Sequence, residues 1–245
     1  MIESGQDAIR CFSCLLPASQ GPTFMALRLL LILSLSYFMA SATLNAEEIP
    51  GWGEVVDPVG NCPVDFVESG ISLSIPAGLH DMNPRLQVTN APRVMQKIVG
   101  DFLYEVRVGD FPRPQAKSGV EGHASYIAAG ILVWQDDRNL LRWTRTGSGE
   151  ANAVFLSCEQ YEQGQLVGGG NFPMEDKPIT LRLERRKDRL ILSATYDNST
   201  WRKVLERRCT LQKDLEVGIL GLNVTQKDVE YRFEAPYLLS SEQVQ

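Results

Sequence analysis

Alternation of apolar and polar side chains with a period of two dominates this chain. It is sharpest at Phe102-Leu103-Tyr104-Glu105-Val106-Arg107-Val108, where Phe102, Tyr104, Val106 and Val108 share one parity and Glu105 and Arg107 take the other. Successive side chains of a strand point to opposite faces, so such a segment is apolar on one side and wet on the other. Ile71-Ser72-Leu73-Ser74-Ile75 repeats the pattern and stops at Pro76. Ile179, Leu181 and Leu183 alternate with polar partners, and a Lys187-Asp188 turn leads into a strand over 189–196. Val229, Tyr231 and Phe233 alternate with Glu230, Arg232 and Glu234 and close the series. One stretch differs. Residues 216–224 are apolar at both parities and punctuated by Gly218 and Gly221, which predicts a strand covered on both sides.

The chain is organised around residues 130–143, two apolar runs flanking the polar turn Asp136-Asp137-Arg138-Asn139. That layout predicts an antiparallel hairpin at the centre of the domain. On its second strand Leu141 and Trp143 share one face, and Arg142 and Thr144 share the other. A further strand is expected over 153–158, and a glycine-bearing hairpin or loop over 161–170. Residues 109–124, with two prolines and three glycines, read as a long surface loop able to form a binding lip. No convincing 3.6-residue amphipathic pattern interrupts the strands. The expected fold is therefore all-β, two packed antiparallel sheets in a β-sandwich. No internal repeat or interdomain linker divides it, so residues 47–240 are expected to form one domain, with 241–245 a tail.

The N-terminus has a different texture. Arg28 precedes an apolar run ending near Phe38, and small residues follow at Ala40-Ser41-Ala42 and Ala46. This is the layout of a secretory signal peptide cut after Ala42 or Ala46. Met25 is the expected start, with residues 1–24 a mis-called extension. A longer signal sequence or an uncleaved membrane tether are the alternatives. The mature chain is then expected to be secreted or periplasmic, with no membrane span. Cys62, Cys158 and Cys209 remain after the leader, an odd number that allows one disulfide and one thiol. No Cys-x-x-Cys occurs among them, and His80 and His123 are the chain's two histidines, so no zinc site is expected. A net charge of −6 from 24 basic and 30 acidic side chains argues against a nucleic-acid partner.

Several blocks together resemble one family: Asn90-Ala91-Pro92-Arg93, Gly100-Asp101-Phe102, the 130–140 hairpin, 181–185 through Leu190, the turn and Trp201 after Asp197, and Val217-Gly218-Ile219. They are similar to the concanavalin A-like β-sandwich (jelly-roll) domains grouped as DUF1349. That group is itself similar to modules at the C-terminus of some β-xylosidases and to a yeast protein named as a regulator of enolase. The resemblance runs from about Trp52 to Leu238. It implies the lectin/glucanase sandwich, with some relatives placed beside glycosidase domains where the sandwich shapes a sugar site or binds glycan. It supplies no catalytic set to carry over.

Candidate chemistry follows from what a sugar needs: a flat aromatic ring for its apolar face and polar side chains for its hydroxyls. Trp134 and Trp143 are the candidate rings, with Gln135, Asp136, Arg142 and Arg145 as polar partners. Trp134 shares parity with Leu132, and Trp143 with Leu141, so a core position is equally open to both. Trp201 reads as a packing residue. A glycosidase needs two carboxyl groups about 5–10 Å apart across a cleft. The acidic residues here, Glu159 among them, are isolated or in turns, and Glu105 reads as a surface partner of Arg107. Asp136, Asp137 and Asn139 offer clustered oxygens for Ca²⁺, against the simpler role of closing a turn. No other cofactor is expected. His80-Asp81 reads as solvated loop. The leading expectation is an exported, non-catalytic domain binding glycan or cell-envelope polysaccharide. A glycoside hydrolase and a structural or interaction domain are the alternatives.

Overall fold

The computed structural model of the protein describes residues 47–241. The expected leader and residues 242–245 of the expected tail lie outside the described residues. Three short segments open the fold: β1 (Glu48–Ile49), β2 (Gly53–Val56) and β3 (Val64–Val67). Then come β4 (Gly70–Ile75), β5 (Gly78–His80), β6 (Met82–Asn83), a single 3₁₀ turn at Pro84–Leu86, and β7 (Val88–Thr89). The long strands follow: β8 (Arg93–Val99), β9 (Phe102–Val108), β10 (Tyr126–Asp136), β11 (Asn139–Ser148), β12 (Ala153–Glu162) and β13 (Gln165–Pro173). The chain ends with β14 (Ile179–Arg186), β15 (Arg189–Thr195), β16 (Arg202–Arg208), β17 (Asp214–Thr225) and β18 (Val229–Ser240).

These strands make two antiparallel sheets, with no α-helix among the described residues. The large sheet runs β1-β2-β8-β17-β10-β11-β12-β13, with β5 added against β17; the small sheet runs β16-β15-β14-β9-β18-β4-β3. The sandwich expected from the period-two pattern is what the chain forms. Odd positions of β10, β11 and β17, such as Ile131, Trp143 and Val217, meet Ile71 and Leu73 of β4, Tyr104 and Val106 of β9, and Leu181 and Leu183 of β14 in one core. The 130–143 hairpin is confirmed: Asp136 pairs with Asn139, so two residues turn the chain, and a bulge lies between Trp134 and Asp136.

The doubly apolar stretch is β17, held between β8 and β10 near the middle of the large sheet. Ile219 faces the core, and Leu220 and Leu222 face outward into a second apolar cluster. Gly221 lets the two layers pack closely. A Cβ there would lie 2.6 Å from Ile75 and 2.8 Å from Tyr231.

Two local expectations need correction, and two others are made specific. Of the hairpin or loop expected over 161–170, the hairpin forms: β12 and β13 pair antiparallel, with Gln163-Gly164 at the turn. The glycines serve packing: a Cβ at Gly168 would collide with the guanidinium of Arg207 and one at Gly169 with the Cys158 carbonyl. The 109–124 segment is the surface loop expected, anchored at two points. Phe111 packs edge-on against Tyr231, with ring centroids 5.2 Å apart, and Ser125 donates to the Gln115 carbonyl. Glu105 pairs with Arg182 across β9 and β14, at 2.5 Å, while Arg107 lies near Glu234. His80 and Asp81 are buried. Burial pushes the His80 pKa below its ordinary value, with the charge of Asp57 opposing.

Cys62, Cys158 and Cys209 are buried free thiols. Burial, reinforced by Asp57, pushes Cys62 up to about 12, and burial carries Cys158 to about 11 despite Arg207. At pH 8 both are therefore thiols, and only thiolates alkylate readily. Peptide-mapped alkylation of the native protein should leave these two sites unmodified and label them once denaturant is added. Trp143→Ala should cost about 3–5 kcal/mol in denaturant titration, because it empties the centre of the core. Trp201→Ala, which removes a half-buried ring stacked under Arg182 at 3.6 Å, should cost about 1 kcal/mol.

Candidate functional site

The outer face of the large sheet carries the candidate site. Its side chains are set by parity: even positions of β10 and β11 and odd positions of β12 point away from the core. Part of this face is apolar and covered. The segment from Asp81 to Arg93 crosses it, and Met82 and Ala91 pack on Met95, Leu132, Leu140, Leu220 and Leu222. Beyond the cover the face turns polar. Arg142, Thr144 and Thr146 of β11 stand beside Ser157 and Glu159 of β12, and Asn171 of β13 follows in register with Ser157. Together with Asn83, Tyr126 and Phe155 they line a groove of about 260 Å³.

Arg142 is the centre of the groove's inner wall. Its Nη1 donates to Asp81 Oδ1 at 3.0 Å; its Nη2 and Nε donate to Glu159 Oε2 at 2.6 and 3.0 Å. The Tyr161 hydroxyl donates to the same Oε2 at 2.5 Å. Tyr126 faces both Asp81 and Arg142, which act on its hydroxyl in opposite directions. Burial opposes the charge on Arg142, but the facing Tyr126 oxygen and the carboxylates of Glu159 and Asp81 outweigh it and hold the guanidinium above its ordinary range. Burial in turn lifts the Tyr126 and Tyr161 hydroxyls well above the usual phenol value, so both are neutral donors. Asp81 is 1% exposed, whereas the Glu159 side chain is 26% exposed at the groove. Oε2 of Glu159 takes all three protein donors and Oε1 takes none of them. Thr144 and Thr146 share a hydroxyl hydrogen bond of 2.9 Å on the floor.

The six residues singled out from sequence are dispersed. Arg142 lies in the groove. Trp143, on the opposite parity, is wholly buried between the sheets, edge-on to Phe172. Arg145 is also on the core side, 1% exposed, stacked on Phe111 at 4.2 Å and bonded to the Gly109 carbonyl and Asp176. Trp134 is on the outer face, packed at the margin of the covered apolar cluster. It stacks under Arg93 at 4.5 Å and borders a separate depression of about 510 Å³ with Lys97 and Glu216. Gln135 accepts from the Gln212 N–H, and Asp136 accepts from the Arg138 N–H and the Asn139 amide. Burial opposes ionisation of Asp136, but those bonds outweigh it and hold the carboxyl below its usual range. Its oxygens thus close the turn. No group of three or more His, Cys, Asp or Glu side chains able to hold a metal occurs among the described residues.

Asp81, Asn83, Tyr126, Ser157, Glu159 and Asn171 are absent from the six. A signal for part of them was present in the parity. Arg142-x-Thr144-x-Thr146-x-Ser148 and Ser157-x-Glu159 are polar exactly where a sheet face lacks a cover, while their alternates Leu141, Trp143, Leu156 and Cys158 build the core. Asp81 carries no such signal, since its partner is 61 residues away.

Removing one member of a buried ion pair strands the other in a low-dielectric site, which typically costs 3–5 kcal/mol. Arg142→Met should therefore lose about 3–5 kcal/mol in thermal or urea unfolding. The double variant Arg142→Met/Asp81→Asn should recover part of that loss; strict additivity of the two single losses would refute the pairing.

No protein-family model matches the chain, and no curated protein sequence matches it. Solved structures do share its fold. A functionally unknown protein from Saccharomyces cerevisiae is 16% identical with a TM-score of 0.61, over 77% of this chain and 96% of that one. A mutant of the GH43 protein BlXynB from Bacillus licheniformis is 16% identical with a TM-score of 0.50, over 70% of this chain and 34% of the other. GH43B of the Bacteroides ovatus xyloglucan PUL is 9% identical with a TM-score of 0.50, over 72% of this chain and 34% of that one. This chain thus spans about a third of the two GH43 proteins and nearly all of the yeast one. The chain is similar in fold to β-sandwiches found in carbohydrate-processing proteins.

Proposed function

We propose that this protein is an exported, non-catalytic β-sandwich that binds carbohydrate in the groove of the large sheet's outer face. The observation that carries this reading is a preorganised polar floor. Arg142, locked by Asp81, holds Glu159 with one carboxylate oxygen uncommitted among the hydroxyls of Thr146 and Ser157 and the amide of Asn171. Phe155 and Tyr126, both half-buried, supply ring surface beside these polar groups. A pyranose matches that mixture, since it has an apolar face ringed by hydroxyls.

The hydrolase alternative fits the groove less well. Its nearest carboxylates, Asp81 and Glu159, are both engaged by one guanidinium, and Asp81 lies beneath the covering segment. They do not face each other across an open cleft as glycoside hydrolysis requires. The likeness to DUF1349 sandwiches and the leader expected over residues 25–46 belong to the same proposal, with an envelope or extracellular polysaccharide as partner.

Affinity electrophoresis of the full chain in gels containing neutral polysaccharides should show retardation. Asn171→Ala and Ser157→Ala should each weaken it several-fold, about 1 kcal/mol for a lost neutral hydrogen bond. Absence of retardation by every polysaccharide, or retardation indifferent to both substitutions, would remove this function or this groove.

A further inference from the structure

The groove has a closed side, and that closure bears on which part of a glycan can occupy it. Over β8, β17 and β10 the outer face is roofed by the segment carrying Met82 and Ala91, both wholly buried against Leu132, Leu140 and Leu220. The boundary between roofed and open halves is the Asp81–Arg142 ion pair itself, 3.0 Å long and almost fully buried. On the opposite side the floor ends at β13, the outermost strand of the sheet, where Asn171 is exposed. A polysaccharide therefore cannot cross the sheet from edge to edge. It can enter from the β13 side, or along β11 from the end lined by Ala124 and Ser148, and either way it stops at the wall. The volume of about 260 Å³ falls just short of the roughly 300 Å³ at which pockets for drug-sized ligands begin, enough for one or two sugar residues.

The unpaired atoms at the wall specify what must arrive there. Among the described residues, Oε1 of Glu159 has no protein donor, and Oδ1 of Asn83, which lines the groove from the roof, is buried without a partner. Both are acceptors, so the ligand must bring donors, and hydroxyl groups are the donors a sugar carries. The charged side chains lining the groove are Arg142 and Glu159. Arg142 is already committed to Asp81 and Glu159, which leaves the wall with one more carboxylate than cations. A ligand carboxylate or sulfate would meet Glu159 with no free cation to offset the repulsion.

Resting on the carbohydrate reading above, we infer that the groove recognises an uncharged sugar at the end of a glycan chain, its hydroxyls donating to Glu159 and Asn83. Internal segments of a chain and acidic sugars are excluded by the wall and by its charge.

The test uses the full chain with xylan, arabinan, mannan and dextran as neutral probes and polygalacturonate as the acidic one. Limited endo-hydrolysis of a retained polymer multiplies its ends at constant mass. Calorimetric binding capacity per gram should rise in proportion to the ends created, and the polymer's own monosaccharide should compete. Polygalacturonate should not retard the protein. Glu159→Gln should weaken binding of the neutral probe roughly 10- to 100-fold, as for a lost charge-assisted hydrogen bond. Asn83→Ala, which leaves the ion network in place, should weaken it several-fold. Capacity unchanged by hydrolysis, equal retardation by polygalacturonate, or indifference to both variants would overturn the end-on mode while carbohydrate binding stood. Failure of every probe to bind would remove both.

Discussion

Arg142 is a permanent cation placed on a central strand of a sheet and shut off from water. Such a charge is tolerated only where opposite charge and hydrogen bonds replace its hydration. Asp81 supplies one half of that requirement and Glu159 the other. To bring Asp81 within 3.0 Å of a guanidinium 61 positions later, the chain after β4 must fold back over the outer face of the large sheet. The roof, the half-open face and the groove's inner wall all follow from satisfying this one side chain.

The roof also explains why the large sheet is apolar on both sides in its middle. Open antiparallel sheets commonly keep one face wet, and their strands then alternate cleanly. Here β17 and β10 from Ile127 to Val133 have the apolar cluster around Met82 and Ala91 on one side and the small sheet on the other, so both parities are apolar there. The roof leaves the 142–148 part of β11 and the 155–159 part of β12 uncovered. Outward positions become Thr, Ser, Glu and Asn, and the chemistry of the face changes within two strands. The small sheet shows the other regime: Glu105, Arg182 and Trp201 stack on its outer surface in contact with solvent.

That gradient also separates two kinds of aromatic residue. Trp143 lies where the sheets meet and contributes packing. Phe155 and Tyr126 lie where the roof stops, and their partly exposed rings stand beside polar groups. Trp134 is on the outer face too, but one side of its ring is already occupied by Arg93. A tryptophan's abundance on a strand therefore says less about ligand contact than its distance from the cover does.

The chain's own period-two alternation determined the sandwich, the strands β4, β9, β14 and β18, the hairpin turn and the doubly covered β17, because those properties rest on local side-chain parity and turn chemistry. Parity also placed Arg142 and Thr144 on one face together. Local sequence did not reveal that His80-Asp81 is buried or that Arg145 faces the core, and it left a hairpin and a loop both open for Gly168 to Gly170. Each of the first two depends on a partner brought in from far along the chain: Arg142 for Asp81, Phe111 for Arg145. Which face of a sheet stays open is set by what folds across it. That is a tertiary contact with no counterpart in neighbouring residues, so the groove emerged only once the chain was assembled.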